Sequence, residues 1–346
     1  MSEYRTRLVD HEAVATYAPL PAVIDAVEAA FAAFHRGAAT MPPKSYVDLP
    51  DHGGDFRSMP AHVDVRDVSL PTRPWRGTAP TDWEAAGVKW VNVHPDNRDR
   101  FDLPTVLGTY VLADPANGYP LAVMDGRELT MRRTGAASAV ATDRLAPPDA
   151  DSLGIVGAGA QAVTQLAAIS VVRDIEEVVI HDRNPERVAA FVDAHEDVID
   201  VRGGTVSEAG HCDVLSTITP VESPIVEPTD VGEHTHVNAV GADAPGKHEL
   251  ADDLLRDATI VVDEYEQCTH SGEINVPWSA GVLDDDDLHG TLGAVVAGDL
   301  PGQTAETGVT VFDSTGLAIQ DVAAAVVAYE AVDDADVGPT IDLLGV

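Results

Sequence analysis

The chain has 346 residues, of which 45% are hydrophobic, and 58 Asp and Glu outnumber 21 Lys and Arg to give a formal net charge of −37. Such a surface repels polyanions, which excludes a nucleic-acid binder that depends on clustered cations. The apolar fraction excludes a disordered chain and is large enough for about two domains. Cys212 and Cys268 alone provide no disulfide framework.

The basic residues are unevenly divided, because 18 are Arg and only three are Lys: Lys44, Lys89 and Lys247. Loss of lysine together with a large acidic excess favours a protein of molar salt, where the screening length falls to roughly 3 Å. We therefore expect a halophilic, cytoplasmic protein, and the alternative is an acidic protein of an ordinary cell. The N-terminal sequence MSEYRTRLVDHEA lacks the apolar core of a signal peptide, and no apolar run predicts a membrane span.

The first part of the chain predicts an α+β region. Apolar residues at helical spacing within residues 11–35 predict an amphipathic helix that starts at Pro19 and Pro21. Short β-rich runs between residues 44 and 125, separated by Pro, Gly and Asn-Gly, predict an antiparallel or mixed sheet. Within this region, residues 63–86 predict a long loop. A second helix is expected over 129–145, with Thr130 as its N-cap.

From Asp151 onward, short β runs alternate with helical runs. This alternation is typical of a parallel, doubly wound sheet. Near the end of the chain, GVTVFDSTGLAIQDVAAAVVAYEAV predicts one more strand followed by a long apolar helix. The overall prediction is therefore an α/β protein, in which a doubly wound parallel sheet follows an N-terminal α+β domain.

A glycine-rich turn separates the predicted strand SLGIV from the next helix. The segment Gly154–Ala162 reads GIVGAGAQA, in which Gly157 permits a tight turn and Gly159 lets the backbone approach a pyrophosphate at the helix N-terminus. The next strand, VVIHD, ends at Asp182, whose carboxylate suits ribose hydroxyls and repels a 2′-phosphate. The pattern predicts NAD, while Arg183 leaves NADP open. The alternative is a glycine turn that holds no nucleotide.

Each of the three lysines is a candidate for a role that the permanently protonated Arg cannot fill. Lys89 lies in the apolar strand GVKWVNV, where the alternative is a lysine whose tip reaches solvent. Lys247 follows a predicted strand at the carboxyl edge of the sheet, where open α/β sheets bind ligands. Asp243 lies in the same turn, and the alternative for it is a simple turn former.

Arginines in two segments of the chain predict anion binding. Arg132, Arg133 and Thr134 fall in the expected first turn of the second helix, where cations oppose the helix dipole and so need another reason to be there. Arg57, in the short strand GDFRSMP, is a candidate for the same cleft, and the alternative is a surface arginine. The 13 histidines show neither HExxH nor a zinc-type Cys/His spacing, so no metal site is predicted.

Eight blocks spread over nearly the whole chain point to a family: MPPKSYVDLPDHGGDFRSMPAH, GVKWVNVHPDN, LPTVLGTYVL, GYPLAVMDG, RRTGAASAVA, GADAPGKHEL, SGEINV and FDSTGLAIQDVA. Together they resemble the ornithine cyclodeaminase/mu-crystallin family, and most closely its archaeal alanine dehydrogenase branch. The resemblance implies an NAD-binding Rossmann domain over 129–315. It also implies a substrate-binding and dimerisation domain over 1–128, which the C-terminal helix 316–346 joins.

The resemblance also implies roles for individual residues. Lys89 would be the active-site acid/base, Asp243 would lie beside the reacting carbon, and Arg57 would hold the substrate carboxylate. Lys44 and Arg133 are further substrate-binding candidates. The residues expected to contact the cofactor are Arg133, Thr134, Gly157, Gly159, Ala160, Gln161, Asp182, Arg183, Thr217, Lys247 and Ser314.

The expected activity is the reversible, NAD-dependent oxidative deamination of L-alanine to pyruvate and ammonium by a homodimer. The partners are thus a small amino acid or 2-oxo acid, with no nucleic acid and no membrane. The alternatives are cyclodeamination of ornithine, reduction of a cyclic imine such as pyrroline-2-carboxylate, and non-enzymatic ligand binding as in mu-crystallin. The segment between His62 and Val88 is longer than the resemblance leads us to expect, and the turn lacks a Thr before Gln161.

Overall fold

The computed structural model describes residues 4–70, 79–80, 82–304 and 307–345. The chain divides into two compact units. The first unit is Met1–Arg133 with Leu317–Val346, and the second unit is Thr134–Gly316. The sequence prediction assigns residues 129–133 to the Rossmann domain, whereas this division groups them with the first unit.

Twelve α-helices and sixteen β-strands follow one another along the described part of the chain. The first part forms β1 (Thr6–Val9), α1 (His11–Tyr17), α2 (Leu20–His35), β2 (Ala39–Thr40), β3 (Ser45–Leu49), β4 (Gly54–Asp64), β5 (Glu84–Val93), α3 (Asn97–Phe101), β6 (Val106–Ala113), β7 (Pro120–Asp125) and α4 (Gly126–Leu145). The middle part forms β8 (Ser152–Val156), α5 (Ala160–Val172), β9 (Glu177–His181), α6 (Pro185–His195), β10 (Asp200–Gly203), α7 (Val206–Gly210), β11 (Val214–Thr217), β12 (His236–Ala239), α8 (Asp252–Asp257), β13 (Thr259–Val262), α9 (Tyr265–Ser271), α10 (Asn275–Ser279), β14 (Leu288–Thr291), α11 (Leu292–Ala297) and β15 (Thr310–Asp313). The chain ends with α12 (Ala318–Asp334) and β16 (Thr340–Ile341).

The first unit is built on a mixed sheet in the order β16-β1-β7-β6-β5-β4-β2, and β3 also pairs with β4. The pairing of β1 with β7 is parallel, and the other described pairs are antiparallel. The register places Lys89 on β5 opposite Met59 on β4 and opposite Tyr110 on β6. Because directly paired residues point to the same side of a sheet, these three side chains share one face.

Helix α12 covers that face. It packs against α2 and against strands β4 and β5. Its sequence is rich in Ala and Val, and its residues from Ala318 to Ala328 are all buried. A helix that is apolar on every side belongs inside a protein. The one carboxylate in this buried stretch, Asp321, is therefore carried into the layer between helix and sheet.

Residues 11–35 form two helices, α1 and α2, with a bend of 86° between them, and α2 begins at the predicted Pro19 and Pro21 start. Pro19 and Pro21 flank the start of α2, and a proline interrupts a helix because it lacks the backbone N–H and its ring clashes with the preceding turn. In the described part of the chain, no single helix is long and apolar enough to cross a membrane.

The start of α4 also differs from the prediction. The helix begins at Gly126, and the Asp125 carboxylate accepts a 2.7 Å hydrogen bond from the Glu128 N–H. The prediction of Thr130 as N-cap is therefore wrong, and its hydroxyl instead donates to the Gly126 carbonyl. Arg133 and its neighbours consequently lie beyond the first turn, where the helix dipole argument no longer applies to them.

The bounds of two further predicted segments, the C-terminal helix and the loop over 63–86, differ in the structure. The predicted helix over 316–346 ends at Asp334, because Asp336 and Gly338 adopt positive φ angles and the chain then forms β16. The predicted loop over 63–86 begins and ends within strands, since β4 continues to Asp64 and β5 begins at Glu84. Part of this loop, at residues 71–78 and 81, lies outside the described residues.

The second unit contains a sheet in the order β10-β9-β8-β11-β12-β15-β13-β14. Every described strand pair in it is parallel, which confirms the predicted doubly wound fold. Buried residues form two clusters, one around Ile155 and Ile180 and the other around Leu215 and Val311. Strand order reverses at β8, which has β9 on one side and β11 on the other. Ligands of such sheets bind at this reversal, beyond the carboxyl ends of the strands.

Gly154 in β8 lies tight against helix α7. A Cβ atom at this position would be 1.9 Å from the Ala209 carbonyl oxygen. We therefore expect Gly154→Ala to lower the free energy of unfolding of the protein by about 1–3 kcal/mol through overpacking. Gly308→Ala is the matched control, because the nearest atom would be 3.7 Å away. Denaturant unfolding of both variants checks this, and equal stability would contradict the tight packing of β8 on α7.

Candidate active site

Lys89 is buried within the first unit. Its side chain is 1% exposed, and Nζ lies 2.9 Å from both Oδ1 and Oδ2 of Asp321. Nζ also donates to the Thr130 hydroxyl at 3.2 Å. The sequence alternative of a strand lysine that reaches solvent is therefore wrong, because the ammonium group ends inside the protein on a carboxylate.

Asp321 also forms an ion pair with a second cation, Arg133. It lies in the first turn of α12 with a side chain that is 0% exposed, and the Arg133 Nε is 3.2 Å from its Oδ1. The Arg133 Nη1 donates to the side-chain oxygen of the neighbouring Gln320 at 2.9 Å. The N-terminal turn of a helix favours a negative charge. The carboxylate is thus stabilised by two cations and by the end of its own helix.

The proton affinity of Lys89 reflects this environment. Burial lowers the pKa of its ammonium group from 10.5 to about 8, and Asp321 opposes that change while Arg133 and Lys44 add to it. Burial together with the nearby Asp321 also raises the pKa of Tyr110 well above its usual value. Lys89 therefore exchanges its proton close to neutral pH, while the Tyr110 hydroxyl stays neutral. An acid/base catalyst works best with its pKa in this range.

Arg57 lies on the same face of the sheet as Lys89. It is paired with Val91 on β5, two positions along that strand from Lys89. Its guanidinium group is held 3.0 Å from the Asp55 carboxylate and over the ring of Tyr46 at 5.5 Å. The sequence alternative of a surface arginine does not describe it, because its side chain is mostly buried. The predicted substrate-binding residue Lys44 is half-buried just before β3.

In the second unit, the glycine turn has the form that the sequence predicts. Gly157 has φ +115°, a conformation that favours glycine, and its N–H donates to the His181 carbonyl at 2.8 Å. Gly159 has open space where a Cβ atom would lie. The Asp182 carboxylate accepts hydrogen bonds from the Ala158 and Asn184 N–H groups, both at 2.8 Å. Asp182 therefore braces the turn from the position just after β9.

The turn also leaves a polar atom ready for a ligand. Among the described residues, the buried side-chain oxygen of Gln161 has no hydrogen-bond partner. Helix α5 begins at Ala160, and no side chain caps its N-terminal N–H groups. Open space at Gly159 and uncapped helix N–H groups together fit a dinucleotide phosphate, whereas the Gln161 oxygen is an acceptor and suits a hydroxyl donor. The predicted contact Arg183 is exposed beside this turn.

Most of the remaining predicted residues of the second unit follow or end its strands, and Thr134 lies in a helix. Lys247 and Asp243 form an ion pair with each other. The structure therefore couples two residues to which the family resemblance gives separate roles. The Ser314 hydroxyl donates to Asp263 at 2.9 Å, Thr217 is buried at the end of β11, and Thr134 is half-buried in α4.

A set of buried carboxylates supports the same edge of the sheet. Glu249 accepts hydrogen bonds from Thr219 and Gly241, and Glu273 accepts them from the N–H groups of Glu249 and Leu250. Burial raises the pKa of both glutamates. These carboxyl groups hold the backbone of the turns that follow the strands, so they act as scaffolding. Both lie inside family blocks, GADAPGKHEL and SGEINV, and neither was predicted to have a role.

The histidines do not form a metal site in the described ranges, where no three His, Cys, Asp or Glu side chains are grouped to hold an ion. His236 is instead buried in β12, with its ring nitrogens 2.8 Å from the Thr310 hydroxyl and 3.3 Å from the Asn238 amide oxygen. Burial lowers its pKa to about 3, so the ring is neutral. His236 is thus a hydrogen-bonded core residue.

Two residues around Lys89 were not predicted from the sequence. Asp321 contacts both Lys89 and Arg133, and a signal for it existed, since a carboxylate inside the run AIQDVAAAVVA has no solvated face to occupy. Tyr110 is opposite Lys89 in the sheet and looks like an ordinary strand residue in sequence.

Comparisons with known proteins agree with this architecture. The family model described as "Ornithine cyclodeaminase/mu-crystallin family" matches residues 6–336. The chain belongs to this family. An alanine dehydrogenase from Archaeoglobus fulgidus is 42% identical over 341 residues, which cover 97% of this chain and 98% of the relative.

Two solved structures share the fold over almost the whole chain. An archaeal alanine dehydrogenase dimer with bound NAD has a TM-score of 0.89 at 42% identity, covering 98% of this chain and 100% of that one. The Delta(1)-pyrroline-2-carboxylate reductase of Thermococcus litoralis, in complex with NADH and L-proline, has a TM-score of 0.88 at 33% identity, covering 97% and 100%. The predicted family and fold class are confirmed.

Proposed function

We propose that this family member catalyses the reversible, NAD-dependent oxidative deamination of L-alanine. L-alanine, NAD⁺ and water give pyruvate, ammonium, NADH and a proton. The proposal is supported by the 42% identity to an archaeal alanine dehydrogenase over nearly the full length of both chains. In this chain, the observation that carries it is the fully buried Lys89, whose Nζ lies 2.9 Å from the Asp321 carboxylate and whose pKa burial lowers to about 8.

The cofactor-binding residues follow from the glycine turn. Gly157, Gly159, Ala160 and the backbone N–H of Gln161 would hold the pyrophosphate, and Asp182 would hold the adenosine ribose. When bound there, NAD supplies the acceptor for the hydride. The other residues that we propose to contact NAD are Thr134, Arg183, Thr217, Lys247 and Ser314.

Charged residues bind the substrate and transfer its protons. Neutral Lys89 takes a proton from the amine or from the attacking water, and protonated Lys89 returns it in the reductive direction. Arg57, held in place by Asp55 and Tyr46, binds the substrate carboxylate, and Lys44 and Arg133 add positive charge. We propose that Asp243 orients the cationic intermediate of the reaction or the water that hydrolyses this intermediate.

A second candidate function is the reduction of a cyclic imine such as pyrroline-2-carboxylate. The NADH and L-proline complex of the 33% identical T. litoralis reductase supports it. The chemistry at the reacting carbon is the same hydride transfer, so the side-chain pocket decides between the two. Ornithine cyclodeamination and non-enzymatic ligand binding are the functions that the family resemblance leaves open besides these two.

One assay separates these functions. Purified protein in molar KCl, chosen because of the −37 net charge and the salt-rich cytoplasm that we propose for it, is supplied with NADH. We expect NADH oxidation with pyruvate plus ammonium, and much slower oxidation with pyrroline-2-carboxylate. Product analysis with ornithine and NAD⁺ runs in parallel. Faster turnover of the cyclic imine would contradict alanine oxidation and favour imine reduction. Formation of proline from ornithine would favour cyclodeamination instead.

Proton transfer by Lys89 predicts the behaviour of two variants. Lys89→Arg keeps the positive charge but cannot release a proton, and Lys89→Met removes both. We expect each to lower kcat for alanine oxidation by about 10²–10⁴-fold, because that is the usual contribution of an acid/base group. NADH binding followed by fluorescence serves as the folding control and is expected to be unchanged. Activity of Lys89→Arg close to wild type would show that only charge matters.

We propose a homodimer formed through the open face of the first unit's sheet. That face lies opposite Lys89 and presents Val47, Phe56 and Trp90, and the rings of Phe56 and Trp90 stack at 5.0 Å. Trp90 remains 45% exposed. Large exposed apolar surface is typical of an interaction site, and an archaeal relative was solved as a dimer.

This interface predicts a change of oligomeric state. Trp90→Glu places a charge on the sheet face, so we expect the dimer to dissociate to monomers in sedimentation velocity. Val198→Glu is the matched control, since Val198 is 87% exposed in the second unit and its change should leave the dimer intact. A dimeric Trp90→Glu protein would place the interface elsewhere.

A further inference from the structure

We propose that Asp321 is a positioning residue that keeps the fully buried Lys89 able to hold and release a proton. The consequence for turnover rests on the proposed function, whereas the consequence for Lys89 itself does not. The inference comes from geometry, because Nζ of Lys89 is 2.9 Å from both oxygens of the Asp321 carboxylate and both side chains are essentially inaccessible.

The other groups around Lys89 do not supply this negative charge. From α4, Arg133 is positive and Thr130 is neutral; from the segment before β3, Lys44 is positive; from β6, the Tyr110 hydroxyl is buried and neutral. Arg57 on β4 is positive and is paired with Asp55. Helix α2, which packs on α12, carries buried Asp25 and Glu28. Among the described residues, Asp321 is the carboxylate that is bonded to Lys89.

The surroundings of Asp321 favour a negative charge at its position. It sits in the first turn of the 17-residue α12, where the helix dipole favours an anion, and Arg133 lies beside it. With this anion in place, Lys89 has a pKa of about 8 despite complete burial. A buried lysine that lacks a partner titrates at about 5–6 instead. Without Asp321, Lys89 would be neutral at neutral pH and could not donate a proton in the reductive direction.

The small number of lysines makes a direct test practical. Labelling with lysine enriched in ¹³C at Cε gives three signals, for Lys44, Lys89 and Lys247, and Lys89→Met identifies the one of interest. We expect the wild-type Lys89 signal to titrate near pH 8. In Asp321→Asn we expect the midpoint to fall by about one to three pH units, the size of the effect of a close opposite charge. The lower limb of the pH profile for alanine oxidation should fall with it.

Two variants serve as controls. Asp321→Glu keeps the charge and should restore most of the midpoint. Asp333→Asn removes a carboxylate from the same helix, one that is paired with Arg7 at 2.8 Å, and should leave the Lys89 signal unchanged. A merely structural role for Asp321 would lower the stability of Asp321→Asn without moving the Lys89 midpoint.

The outcomes separate the two proposals. A lowered Lys89 midpoint in Asp321→Asn, together with no alanine turnover by the wild type, would support the positioning role and overturn the proposed function. An unchanged midpoint in folded, NADH-binding Asp321→Asn would overturn the positioning role. If Asp321→Asn does not fold, the wild-type titration decides, because a midpoint of about 5–6 would show that Asp321 gives Lys89 no support.

Discussion

A cation placed inside a protein needs an anion placed there with it, and in the first unit this requirement is met by Lys89 and Asp321. Removing one partner of a buried pair leaves an uncompensated charge, which typically costs about 3–5 kcal/mol. The strand that carries Lys89 and the helix that carries Asp321 must therefore be fixed against each other. The packing of α12 on β4 and β5, with its buried Ala and Val side chains, provides that fixed position.

This pair also explains why the site tolerates so much positive charge. Arg133, Lys44 and Arg57 all belong to the unit that contains Lys89, in a chain with a net charge of −37. Positive residues suit a substrate that carries a carboxylate, but they would drive the proton off a buried lysine. One buried carboxylate lets both conditions hold. The net charge of the whole chain is therefore a poor guide to the site, because the chemistry depends on the positive residues that are grouped around Lys89.

Much of the fold could be predicted from sequence because the signals are local. The alternation of β and α segments and the turn at Gly157 predict the parallel sheet, and the structure confirms it. The scarcity of lysine draws attention to Lys89 without any structure. Its partner could not be predicted in this way, since 232 positions separate Lys89 from Asp321 and no periodicity links them. The start of α4 was misplaced because Asp125 caps the helix earlier than Thr130.

The interruption of the first unit by the second has a consequence for how the protein is made. Residues 134–316 form one continuous segment, whereas the sheet of the first unit is completed only when β16 pairs with β1. During synthesis the second unit can fold while the first still lacks α12. The carboxylate that Lys89 needs leaves the ribosome only after the whole segment that forms the second unit. A chain that stopped before α12 would therefore contain the nucleotide fold but not a completed lysine site, so α12 must be translated before the chemistry can be assembled.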